Sequence, residues 1–215
     1  MGNFMREPIN SMTHLVGAVL SLFGLIAMVF KSTFSGGSVL QTSAVIAFGI
    51  SMILLYSAST TYHMAKASDK IIAFLRRMDH SMIFVLIAGT YTPFCIISLK
   101  GTLGWIIFSI VSFIAFSGVL FKLIWFSCPR WLSTTLYIAL GWVIILASAP
   151  LSDAISMKGM FALILGGIFY TVGGVIYAVK PKFLSFKNWG FHEIFHIFIM
   201  LGTLCHFFCV YYFVI

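Results

Sequence analysis

The chain has 215 residues, 61% of them hydrophobic and 8% charged, with a formal net charge of +8. Soluble domains average about 25% charged residues, so this composition excludes an ordinary soluble domain and points to an integral membrane protein. The 13 basic residues outnumber the 5 acidic ones, but they lie in short connections between apolar runs. They read as topology signals and contacts with anionic lipid headgroups, and nucleic acid is not an expected partner.

In chain order, Glu7, Pro8 and Asn10 precede the first apolar run, and no small-residue cleavage site follows a short hydrophobic core, so no cleavable signal peptide is expected. Segments long enough to cross a bilayer, about 20 residues each, follow one another at Ser11–Phe30, Leu40–Tyr62, Asp79–Ser98, Leu103–Trp125, Ser133–Pro150, Gly159–Val179 and Phe191–Ile215. They predict an all-α fold: a single domain over residues 1–215, built as a seven-transmembrane-helix bundle. The fifth segment is the shortest and ends at Pro150. Cys95, Cys128, Cys205 and Cys209 show no CxxC spacing and are assigned no function.

Orientation follows from the basic residues. Arg6, Lys66, Lys70, Arg76, Arg77, Lys122, Arg130, Lys180, Lys182 and Lys187 fall on one side, against Lys31, Lys100 and Lys158 on the other. The positive-inside rule then sets the N-terminus in the cytoplasm and the C-terminus outside, the reverse of a G-protein-coupled receptor.

On this topology the polar residues converge. Glu7, Asn10 and His14 lead into the first helix, Ser59 and His63 end the second, Asp79 and His80 begin the third, and His192, Glu193 and His196 begin the last. All fall at cytoplasmic helix ends, where ionisable groups in a membrane protein are candidate functional residues. His192 and His196 are four residues apart, about 40° around a helix, so both can grip one ion. With His63 they supply the three imidazoles of an open zinc site. Asp79 is expected to orient the metal's water or take its proton, and Ser59, one turn before His63, to join that network. His192 to His196 also satisfies HExxH, the zinc-protease motif in which Glu193 is the base; Glu193 lies about 100° around the helix from His192, facing either the edge of the site or the headgroups. His14 and His80 are expected in the surrounding polar network. His206 lies about 15 Å deeper than His196 and belongs to the core or a cavity.

The stretch Glu7-Pro8-Ile9-Asn10-Ser11-Met12-Thr13-His14, then Ser59 with His63, Asp79-His80, Ala88-Gly89-Thr90-Tyr91-Thr92-Pro93, and His192 with His196 resemble the progestin and adipoQ receptor superfamily. The compact loops resemble its bacterial branch, the haemolysin III proteins. The resemblance implies one Zn²⁺ ion held by His63, His192 and His196, with Asp79 near its water and Ser59 as the motif serine. It also implies residence in the cell membrane and membrane lipids as partners, a lipid or fatty acid being the candidate ligand. Three functions compete: a zinc-dependent hydrolase of lipid amides or esters, as the alkaline ceramidases of the wider superfamily suggest; a non-catalytic sensor of membrane state with a structural zinc; and a membrane-damaging haemolysin.

Overall fold

The computed structural model describes residues 5–184, 186 and 189–215; Lys187 lies outside them. The described residues form helices and their connections: α1 (Pro8–Phe34), α2 (Val39–Met64), α3 (Asp69–Pro93), α4 (Gly101–Ile124), α5 (Arg130–Trp142), α6 (Ser148–Val179) and α7 (Phe191–Cys209). Six helical stretches are long and apolar enough to cross a membrane, and Arg130–Val179 counts as one of them. Local signals set several starts. Pro8 sits in the first turn of α1, where its missing N–H costs nothing. At α2, Ser38 Oγ accepts from the Gln41 amide while the Gln41 side chain accepts from the Ser38 amide, satisfying two otherwise unpaired donors.

Three features differ from the expected segments. α3 begins at Asp69 rather than Asp79, so Asp79 lies within the helix. The added turns, with Asp69, Lys70, Arg76 and Arg77, are too polar to register as a membrane segment yet continue the helix. The residues expected between the fifth and sixth segments are helical as well, since α6 starts at Ser148. Finally, between Arg130 and Val179 regular helix is interrupted twice: by a 3₁₀ stretch at Val143–Ala147 and by Ser156, at φ 64° and ψ 166°, a region nearly restricted to glycine. The Tyr91 hydroxyl accepts from the Ile144 amide at 2.7 Å and reaches the Leu140 and Gly141 carbonyls at 2.9 and 2.8 Å, meeting backbone groups that the 3₁₀ turn leaves unpaired.

α1 to α4 pack in sequence, α5 packs on α6 and α3, and α7 packs between α6 and α1. α5 and the second part of α6 are antiparallel: Trp142 Nε1 donates to Thr171 Oγ1, and Thr134 flanks Gly174. A side chain on Gly17 would stand 2.8 Å from the ring of Tyr56, so glycine permits the close approach of α1 and α2. Met28, Val45, Phe48, Met52, Leu55, Tyr56, Leu151 and Ile155 fill the core. Phe23, Phe30, Phe113, Phe116 and Phe161 are exposed, as expected where hydrocarbon replaces water.

Candidate metal centre

Residues just before α1 fix the first part of the site. The Arg6 and Glu7 amides donate to the Met64 and His63 carbonyls at 3.4 and 3.0 Å, holding this segment against the end of α2. The Glu7 carboxylate thereby meets the buried imidazole of His63, with Nδ1 2.6 Å from Oε2. A carboxylate only accepts, so Nδ1 carries the hydrogen and Nε2 keeps its lone pair. That Nε2 faces His192 Nε2 at 3.4 Å. Two nitrogens bound at 2.0–2.1 Å to one tetrahedral zinc stand about 3.3 Å apart, so the pair fits such an ion. One ligand atom from each of His63, His192 and His196 lies within 4.8 Å of the others, close enough to hold a metal. Glu7 completes the carboxylate–histidine arrangement that commonly orients metal ligands.

The hydrogen bond from His63 holds the Glu7 carboxyl at about 2, against an ordinary value of 4.5, although partial burial pushes the other way. Asn10 braces the same group: its amide nitrogen donates to Glu7 Oε2 at 3.2 Å and to Glu193 Oε1 at 3.0 Å. The second Glu193 oxygen accepts from the Gly190 amide at 2.7 Å. Both carboxylate oxygens are thus engaged at the start of α7, where negative charge favours the helix dipole, and Glu193 ties α7 to α1.

His14 is buried and stacks on His196, with centroids 3.6 Å apart and planes 9° apart, and its other neighbour is the edge of Tyr56. His80 stands aside from the three histidines. Its Nδ1 donates to the Arg76 carbonyl at 2.9 Å, which leaves Nε2 to accept from the Tyr177 hydroxyl at 2.9 Å. Asp79 Oδ2 is 3.6 Å from His80 Nδ1, too far for a hydrogen bond.

A cavity of about 190 Å³ begins at this layer and runs into the bundle. His14, Ser59, Asp79, His192 and His196 form its polar end, and Leu163, Met160 and His206 lie farther along. α1, α2, α3, α5, α6 and α7 contribute to the wall; among the described residues α4 does not. His206 is bonded through Nε2 to the Leu163 carbonyl at 3.1 Å and takes no part in the histidine cluster.

The sequence profile of a family described as Haemolysin-III related matches residues 3–207. The chain is 39% identical over 221 residues to a Bacillus cereus protein named Hemolysin-3, covering all of this chain and 95% of that one. It is also 39% identical over 210 residues to a Bacillus subtilis (strain 168) protein named Hemolysin-3 homolog, covering 98% and 95%. The chain belongs to the haemolysin III family. Family membership and six apolar helical stretches make it a multi-pass membrane protein.

Two contacts of this haemolysin III site involve residues to which the sequence reading assigns no role. Tyr177, from the end of α6, bonds His80 and packs its ring 5.8 Å from that of His192. Thr13 Oγ1 lies 3.5 Å from His196 Nδ1, while bonded to the Ile9 and Asn10 carbonyls. Thr13 directly precedes His14 and was within reach of a motif argument. Tyr177 sits in an unbroken apolar run and had no such signal.

Proposed function

We propose that this haemolysin III protein is a zinc-dependent hydrolase of a lipid amide or ester, resident in the cell membrane. The observation that carries this reading is the place of His192 and His196 in the wall of a largely apolar cavity, with a ligand atom of His63 within 4.8 Å of theirs. Three neutral nitrogen donors suit zinc and leave one position open. When bound, zinc supplies Lewis acidity, polarising a carbonyl and acidifying water in its coordination sphere. Asp79 is the base that takes the proton of the attacking water at its carboxylate, a role supported by its place in the cavity wall with His192 and His196. Ser59, in the same wall, orients that water. The apolar remainder of the cavity accepts an acyl chain and excludes bulk water.

The membrane arrangement belongs to the same proposal. At about 1.5 Å per residue, the 50 residues of Arg130–Val179 would extend about 75 Å, against a hydrocarbon core of about 30 Å. With α5 antiparallel to the second part of α6, this stretch crosses twice, for seven crossings in all. Arg6, Lys66, Arg76, Arg77, Arg130, Lys180 and Lys182 set the metal centre and the N-terminus in the cytoplasm and the C-terminus outside.

The decisive test pairs metal analysis with turnover. Replacing His63, His192 or His196 by alanine should abolish stoichiometric zinc, and Asp79→Asn should retain zinc while losing lipid hydrolysis. Stoichiometric zinc in all three histidine variants would sink the site; undiminished hydrolysis in Asp79→Asn would sink the mechanism. The Glu7 brace favours a second reading, a sensor with a structural ion, because the cluster joins α2, α7 and the segment before α1. That reading predicts a lower melting temperature without metal and no product from any lipid. The names of the relatives raise a third, membrane damage, for which liposome leakage should be indifferent to the histidine substitutions.

A further inference from the structure

A second group of reactive side chains lies outside the metal centre, where the end of α4 meets the start of α5. Lys122 is 3% exposed, Ser133 3% and Cys128 7%. Lys122 Nζ donates to Ser133 Oγ at 2.5 Å and to Cys128 Sγ at 3.4 Å, and the sulfur is 3.1 Å from the serine oxygen. A buried ammonium normally has a carboxylate, but no ion pair among the described residues involves Lys122. Its surroundings are the hydroxyl, the sulfur and the rings of Phe126 and Phe121, at 5.4 and 6.0 Å. Its place in the last turn of α4 is favourable for a cation.

A tie between two helix ends needs only the lysine and the serine. The sulfur adds chemistry, because an amine and a sulfur confined at 3.4 Å stand at near-attack distance. Cys128 is also set apart from the other cysteines. It lies in the connection between α4 and α5, whereas Cys95, Cys205 and Cys209 lie in the apolar helical stretches.

We propose that Cys128 and Lys122 form a peroxide-responsive site, at which a two-electron oxidant closes a sulfur–nitrogen bond between them. In the first step the sulfur attacks hydrogen peroxide. A sulfur–oxygen bond forms, the oxygen–oxygen bond breaks, and the hydroxide released takes the proton held between the sulfur and the Lys122 nitrogen, leaving as water and leaving the amine neutral. The sulfur is oxidised to sulfenic acid and the peroxide is reduced. In the second step the neutral Lys122 amine attacks that sulfur, the sulfur–oxygen bond breaks, and a second water leaves. Ser133, bonded to both atoms, holds them together. A thiol reductant reverses the product. The site is independent of metal and of hydrolysis.

The experiment treats the purified full chain in detergent micelles with graded hydrogen peroxide and follows it by intact and peptide mass spectrometry. The expected product has lost two hydrogens, joins the peptides carrying Lys122 and Cys128, and returns to the starting mass with dithiothreitol. In Lys122→Arg, Cys128 should instead proceed to sulfinic acid. Wild-type protein decides the matter even if that variant fails to fold. Cys128 reaching sulfinic acid with no joined species, or staying unmodified while Cys205 is oxidised, would overturn the proposal.

Discussion

Glu7 is a residue whose surroundings change its chemistry. Its carboxyl is held at about 2 rather than 4.5 by His63. A folded-state value below the ordinary one contributes stability fully above about pH 4.5, and that contribution is lost as pH falls toward 2. Glu7→Gln should therefore flatten the fall in melting temperature between about pH 5 and pH 3, measured in detergent. It should also weaken metal binding about 10- to 100-fold in chelator competition, the usual cost of removing a carboxylate behind a ligating histidine. Glu193 differs although it is equally acidic. Glu193→Gln should leave metal affinity close to wild type, since both oxygens serve Asn10 and the start of α7, and a loss as large as that of Glu7→Gln would overturn this assignment.

Among the elements, the stretch from α5 to α6 carries backbone strain. Ser156 occupies a backbone region that costs a non-glycine residue about 1–3 kcal/mol, and Ser156→Gly should raise unfolding stability by about 1 kcal/mol, read from thermal melts. Gly17→Val should act in the opposite sense: its side chain would push Tyr56, which edges His14, which stacks on His196, lowering both melting temperature and metal affinity. The sequence conveys these elements unevenly. Hydropathy marks the helices because a membrane segment must satisfy its backbone internally and be apolar outside. It misses the first turns of α3, whose charges break the apolar signal without breaking the helix. It misses Ser156 because serine has no marked preference for that backbone geometry. At the site, His192 and His196 were legible from spacing alone and His63 from motif order. The bond from Glu7 to His63 was not, because it depends on backbone pairing between the start of α1 and the end of α2.

At the scale of the whole molecule, the cavity links the metal centre to the interior of the bundle. Ile199 lines it three residues beyond His196, so Ile199→Trp should abolish turnover of long-chain lipids while stoichiometric zinc is retained; unaltered turnover would detach the cavity from the chemistry. The two amide bonds from Arg6 and Glu7 to the last carbonyls of α2 have a wider consequence. Peeling that short segment away would uncover His63 and remove its carboxylate in one motion, so an ion held as proposed would be released as Arg6 and Glu7 detach. Amide hydrogen exchange at Glu7 should then slow on metal addition. A probe attached ahead of this segment would report occupancy of the centre from outside the membrane-embedded body.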